Sequence, residues 1–139
     1  MFTIKEVEDQ VRIKLLDTYS DNYRFAPTEI FHAMRDGLRM IRNIRPESKY
    51  VDDLLTGKML IISGSEADFV VPESFPATIN GVTFDLDTYR GISINMEDRW
   101  MESLGYYVIH QMYLKDDTDT ANANLATTYY NKFVESVRS

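Results

Sequence analysis

The chain contains no cysteine. That excludes disulfide staples, thiolate nucleophiles and zinc–sulfur sites. Histidine is scarce: His32 and His110 are the only two, each in a predicted helix with no second histidine at metal-ligand spacing. A catalytic pair or a metal site needs groups that converge, so both are read as surface or interface residues. The six glycines are dispersed, without the spacing of a phosphate loop or a dinucleotide fingerprint. No serine sits in a nucleophile-elbow pattern. Long apolar runs are missing, and nothing approaches the roughly 20 residues that span a bilayer. The opening MFTIKEVEDQ is charged from residue 5 with no apolar run, which predicts no leader peptide. The expectation is a non-enzymatic chain with no cofactor and no metal.

Positive charge is in short supply. Fifteen Lys and Arg face 22 Asp and Glu, for a net charge of −7. Such a chain does not grip nucleic-acid phosphates by broad attraction. It is compatible with an acidic lining that lets DNA slide without sticking. Two acidic stretches, Asp85–Asp87 and Asp116–Asp119, have the look of cation loops. Both lack the glycine and glutamate that a calcium-binding EF-hand loop requires, so they read as solvated turns.

What remains is an ordinary globular composition, 44% apolar and 27% charged, read as a single domain over residues 1–139. The fold class is mainly α: a bundle of four to five helices with a small β-hairpin element in the middle. The last third carries the organisation. Met96, Trp100, Met101, Leu104, Tyr107, Val108 and Met112 recur at helical spacing, predicting a helix near 96–115 with Asn95 as its cap. Tyr106, Ile109 and Tyr113 lie on its other side. Two apolar sides call for two burial partners; another chain is a candidate for the second. After the acidic turn, with Thr118 or Asp119 placed to cap, a helix near 119–137 puts Leu125, Ala126, Tyr129, Tyr130, Phe133 and Val137 on one side. Trp100 is expected in the core, between the first helix and the last.

Two helices are predicted upstream. Thr3 and Glu6 have capping-box spacing, and Ile4, Val7, Val11, Leu15 and Leu16 give an apolar stripe near 4–18. Pro27 opens a helix near 27–45 with Ile30, Phe31, Met34, Leu38 and Ile41 inward; Pro46 stops it. Residues 47–55 fit a short further helix ending at Gly57. The runs 58–62 and 68–71 predict the principal hairpin, near 58–71. Asn80-Gly81 is a tight-turn pair, and 84–94 reads as an irregular or extended crossing.

Two features suggest surfaces. Arg35, Arg39 and Arg42 are spaced four and three apart beside the apolar stripe, with Arg45 close to them. Arginines on a helix are usually a solvated face; the alternative is contact with an acidic surface. The proposed subunit interface is Arg35, Arg39 and Arg42 on one side against Asp116, Asp117 and Asp119 on the other. The nine tyrosines include the neighbours Tyr106-Tyr107 and Tyr129-Tyr130. Neighbours on a helix diverge by about 100°, so core packing accounts for one of each pair and interface packing for the other.

Two stretches carry a family resemblance. One is Ile4–Pro46, with its Pro-Thr-Glu helix start and DGLRMIRNIRP ending. The other is Met96–Val137, DRWMESLGYYVIHQMYLKDDTDTANANLATTYYNKFVESV followed in order. Together they resemble the small head–tail connector, or adaptor, proteins of tailed bacteriophages. The resemblance implies a virion structural protein made in the host bacterial cytoplasm. It implies a homo-oligomeric ring, usually twelvefold, that binds the portal protein and tail proteins. Genome DNA passes through such a ring without sequence-specific binding, and no membrane is involved. The alternative is a small helical protein-interaction or regulatory module; a small enzyme using scattered carboxylates ranks below it.

Overall fold

The computed structural model describes residues 1–15, 25–45, 58–115 and 120–138. Helix α1 spans Ile4–Leu15. Its cap is the predicted Thr3/Glu6 pair: the Glu6 N–H donates to Thr3 Oγ1 (3.2 Å), and the threonine hydroxyl donates to Glu6 Oε1 (3.3 Å). Helix α2 spans Pro27–Ile44. Arg45 has already left the helix, at φ −128° and ψ 84°, as Pro46 requires of the residue before it. The inward faces are those the spacing predicts, with Ala33 and Gly37 added on α2 and the charged Glu8 and Arg12 added on α1. The predicted 47–55 helix and the tail of the first helix, 16–18, lie outside the described residues.

Among the described residues, six short strands complete the frame. They are β1 (Phe2–Thr3), β2 (Leu60–Ile62), β3 (Ser65–Ala67), β4 (Ala77–Ile79), β5 (Val82–Phe84) and β6 (Ser93–Ile94). A hairpin forms within the predicted 58–71 as β2–β3, with Leu60 opposite Ala67 and Ile62 opposite Ser65; its turn is tighter than expected, so the second strand is Ser65–Ala67 and the expected run 68–71 is not a strand. Ser63 and Gly64 close it at φ 52° and 79°. A second hairpin of equal length, β4–β5, turns on Asn80-Gly81 at φ 51° and 77°. Positive φ at both central residues is what a tight two-residue turn demands and what Asn-Gly tolerates. The main sheet has the order β1-β6-β2-β3, antiparallel throughout.

The crossing at 84–94, expected to be irregular or extended, is extended at its two ends but carries a short helix between them. Asp85 caps a five-residue helix, α3 (Leu86–Arg90), through a reciprocal bond set with Thr88, and β6 follows. Asn95 does not cap the next helix either. It is buried; its N–H donates to the Met59 carbonyl (2.8 Å) and its amide to Glu66 Oε1 (3.3 Å). The sheet takes Asn95 first, so the helix begins later. A 3-10 turn at Asp98–Trp100 leads into α4 (Met101–Lys115).

Helix α4 is the hub, packing against α1, α2 and α5 (Thr120–Arg138). The second burial partner that its two apolar sides require is therefore supplied by the chain itself. At the α2 crossing, Gly37 faces Leu104 and Tyr107 so closely that a Cβ there would lie 2.8 Å from Leu104 Cδ1. At the α1 crossing, Gly105 faces Gln10. Along the α5 seam, Ala126, Phe133 and Val137 are buried and Ser103 bonds Ser136 through their hydroxyls (2.7 Å). Leu125 and Tyr130, placed on the inward side by spacing, lie at the exposed rim instead. Trp100 is buried as expected, at 4% exposure, with the Arg99 guanidinium over its ring.

Candidate functional site

Helix geometry sets the arginine face. At about 100° per residue, Arg35 and Arg42 project within about 20° of one another and Arg39 within about 40° of Arg35. Arg39 is exposed; Arg35 and Arg42 are half-buried. Arg35 has Asp36 beside it, at 3.9 Å from Nε, beyond hydrogen-bond reach. Its Nε and the Nη1 of Arg42 are shielded from solvent with no acceptor. Among the described residues, no carboxylate pairs with Arg39 or Arg42. Arg45, close to them in sequence, is committed elsewhere: it donates to the Val137 and Arg138 carbonyls at the end of α5 (2.8 and 2.6 Å). The acidic half of the expected interface, Asp116, Asp117 and Asp119, lies outside the described residues.

The inner edge of this face is anchored by Tyr89. Its ring packs on Phe31 and Phe75 (centroids 5.1 and 5.2 Å), and its hydroxyl donates to the Val70 carbonyl (2.6 Å). Burial holds the phenol protonated well above its ordinary range, while the nearby Arg35 charge pulls the other way. Arg35, at the N-terminal end of the strip, thus lies near a packed aromatic group.

A second charged group, invisible to sequence patterning, lies between α1 and α3. Glu8, 2% exposed, accepts from Arg12 Nε (3.0 Å) and from Arg90 Nε and Nη2 (2.6 and 3.1 Å). Arg12 also donates to the Phe25 carbonyl (3.1 Å). A cleft of about 340 Å³ opens over Glu8 and Arg90, rimmed by Lys5, Asp9 and Asp87. The carboxylate is fully engaged by the two guanidiniums, which suits a clamp between elements rather than a proton carrier.

The tyrosines form a seam along α4 and α5. Tyr113 stacks on Tyr129 (5.9 Å), Tyr129 meets Tyr106 (6.1 Å), and Lys132 lies over both Tyr106 and Tyr129. The Tyr106 hydroxyl donates to Glu102. That bond, with some burial, pushes the Tyr106 phenol up to about 12. On the other side, Tyr107 packs edge-on against Phe133 (5.1 Å). His110 sits between Tyr107 and Tyr130 with Nδ1 2.8 Å from the Ala126 carbonyl, so it joins the two helices; His32 is exposed.

An apolar groove of about 440 Å³ runs between the main sheet and the second hairpin, lined by Ile61, Val82, Phe84 and Ile92 among others. Among the described residues, no group of three or more His, Asp or Glu could hold a metal ion. No helix there is long and apolar enough to cross a membrane. The chemistry these surfaces offer is recognition: guanidinium forks for anions and aromatic faces for packing. In comparisons with protein-family models, curated proteins and solved structures, no match to this chain was found.

Proposed function

We propose that this chain is a non-enzymatic head–tail adaptor of a tailed bacteriophage. In this reading it forms a homo-oligomeric ring between the portal and the tail proteins and extends the channel through which DNA passes. One observation carries it. The two stretches that resemble such adaptors, Ile4–Pro46 and Met96–Val137, supply α1, α2, α4 and α5, and the other three pack against α4. The stretches far apart in sequence are thus neighbours in one helical assembly, with β2 to β6 inserted between them. The net charge of −7 supports a lining that DNA does not adhere to.

The test is co-expression with the portal protein from the same genome, followed by electron microscopy of the purified complex. A ring of additional density coaxial with the portal, absent when this chain is omitted, is the expected result. Absence of any association with the portal would overturn the reading. It would favour the alternative of a helical interaction module.

A further inference from the structure

We propose that Arg35, Arg39 and Arg42 form a carboxylate-binding strip that receives the acidic surface of a second copy of this chain. The choice of partner rests on the ring reading; the chemistry rests on the strip. Six arginines are relevant, and they divide cleanly. Arg12 and Arg90 are spent on Glu8, and Arg45 on the end of α5. Arg35, Arg39 and Arg42 share one face of α2, and among the described residues none makes an ion pair closer than the 3.9 Å Arg35–Asp36 approach. Arg35 and Arg42 are also held in place: each is half-buried, with one nitrogen shielded and lacking an acceptor. Half-burial restricts their rotamers before any partner arrives. A guanidinium so placed keeps donors in a fixed fork that fits a carboxylate with two parallel bonds, at reduced ordering cost.

The partner follows from charge. Among the described residues, three arginines with Asp36 as their one nearby carboxylate form a local excess of positive charge on an otherwise acidic chain. Any second copy presents a net charge of −7. In a closed ring each joint sets one side of a subunit against a different side of the next. A basic strip meeting an acidic side turns like-charge repulsion between copies into attraction, and fixes which side meets which.

The experiment is sedimentation analysis of the full chain across its soluble concentration range, at low and at moderate salt. The wild type is compared with the Arg39→Glu, Arg42→Glu double variant. Circular dichroism checks that the variant is folded. If it is not, the single exposed change Arg39→Gln replaces it. The expected result is self-association at low salt that added salt weakens and the double variant weakens by about tenfold or more. A wild type that stays monomeric at low salt throughout, or a variant that associates as the wild type does, overturns the strip. So does retention of a DNA duplex by the wild type that the double variant abolishes, which would assign the strip to phosphate. The two readings fail separately. A portal-bound ring built from a chain that is monomeric alone leaves the adaptor standing without the strip. Self-association lost in the variant, with no portal binding, leaves the strip standing without the adaptor.

Discussion

Glu8 shows how much one side chain can decide. It is buried with guanidiniums on two sides, one from its own helix and one from α3. Removing one member of a buried ion group leaves uncompensated charge, so Glu8→Ala is expected to cost about 3–5 kcal/mol in denaturant unfolding. A near-neutral result would mean that water enters freely from the cleft above. Trp100→Ala is expected to cost a similar ~3–5 kcal/mol, by loss of packing and the cavity left behind. Tyr106 offers a test by pH. Its folded-state value is raised to about 12, chiefly by the bond to Glu102. The stability it contributes is therefore complete below the ordinary tyrosine range and lost as pH rises through about 12. Glu102→Gln is expected to let one tyrosine ionise earlier in a phenolate absorbance titration; an unchanged titration would remove Glu102 as the cause. Of these residues, Trp100 is legible in the sequence because its apolar neighbours recur at helical spacing. Glu8 and Arg12 are not. Charged residues four apart on a helix read as a solvated pair, and Arg90, which explains them, is remote in the chain.

At the scale of elements, legibility follows length. Helices α1, α2, α4 and α5 are long enough for periodicity to show, and their inner faces are largely those expected. Helix α3 has five residues, and β1 and β6 have two each. No period can emerge from so few positions. The sign that was available is chemical: Asp85 with Thr88 three residues on is a cap without a long helix to announce it. That cap also predicts a pH effect. Asp85 has its carboxyl held below the usual range, first by the Thr88 N–H. Its contribution is present above the ordinary carboxylate range and fades as pH falls through the lowered value. Asp85→Asn is expected to reduce that acid-side dependence of unfolding, with hydrogen exchange at α3 as the measure. The α2–α4 crossing is a matter of clearance. Gly37→Ala would gain about 1 kcal/mol of helix propensity. The new methyl would also lie 2.9 Å from the Tyr107 ring, an overpacking of the kind that costs about 1–3 kcal/mol. A net destabilisation, with a lowered unfolding midpoint, is expected; stabilisation would show that α4 can shift outward.

For the whole molecule, the candidate site was half legible. The arginine spacing gave the strip on α2. It could not show that Arg45 leaves the strip to bond the end of α5, because that contact joins positions remote in the chain. It also could not show that Arg35 and Arg42 are partly shielded, since shielding depends on what packs beside α2. The hub position of α4 bears on synthesis as well as stability. Chains emerge from the ribosome N-terminus first, but the surface on which α1 and α2 both seat begins only at Met101. Until α4 has emerged, the apolar faces of the first two helices lack the element that packs against both of them, and have only partial cover from earlier residues such as Tyr89 on Phe31. A fragment ending before residue 101 is expected to give weak helical signal and rapid proteolysis, whereas the full chain resists. The core therefore closes only when the last third has been made, and until then part of these two faces depends on whatever shields a nascent chain.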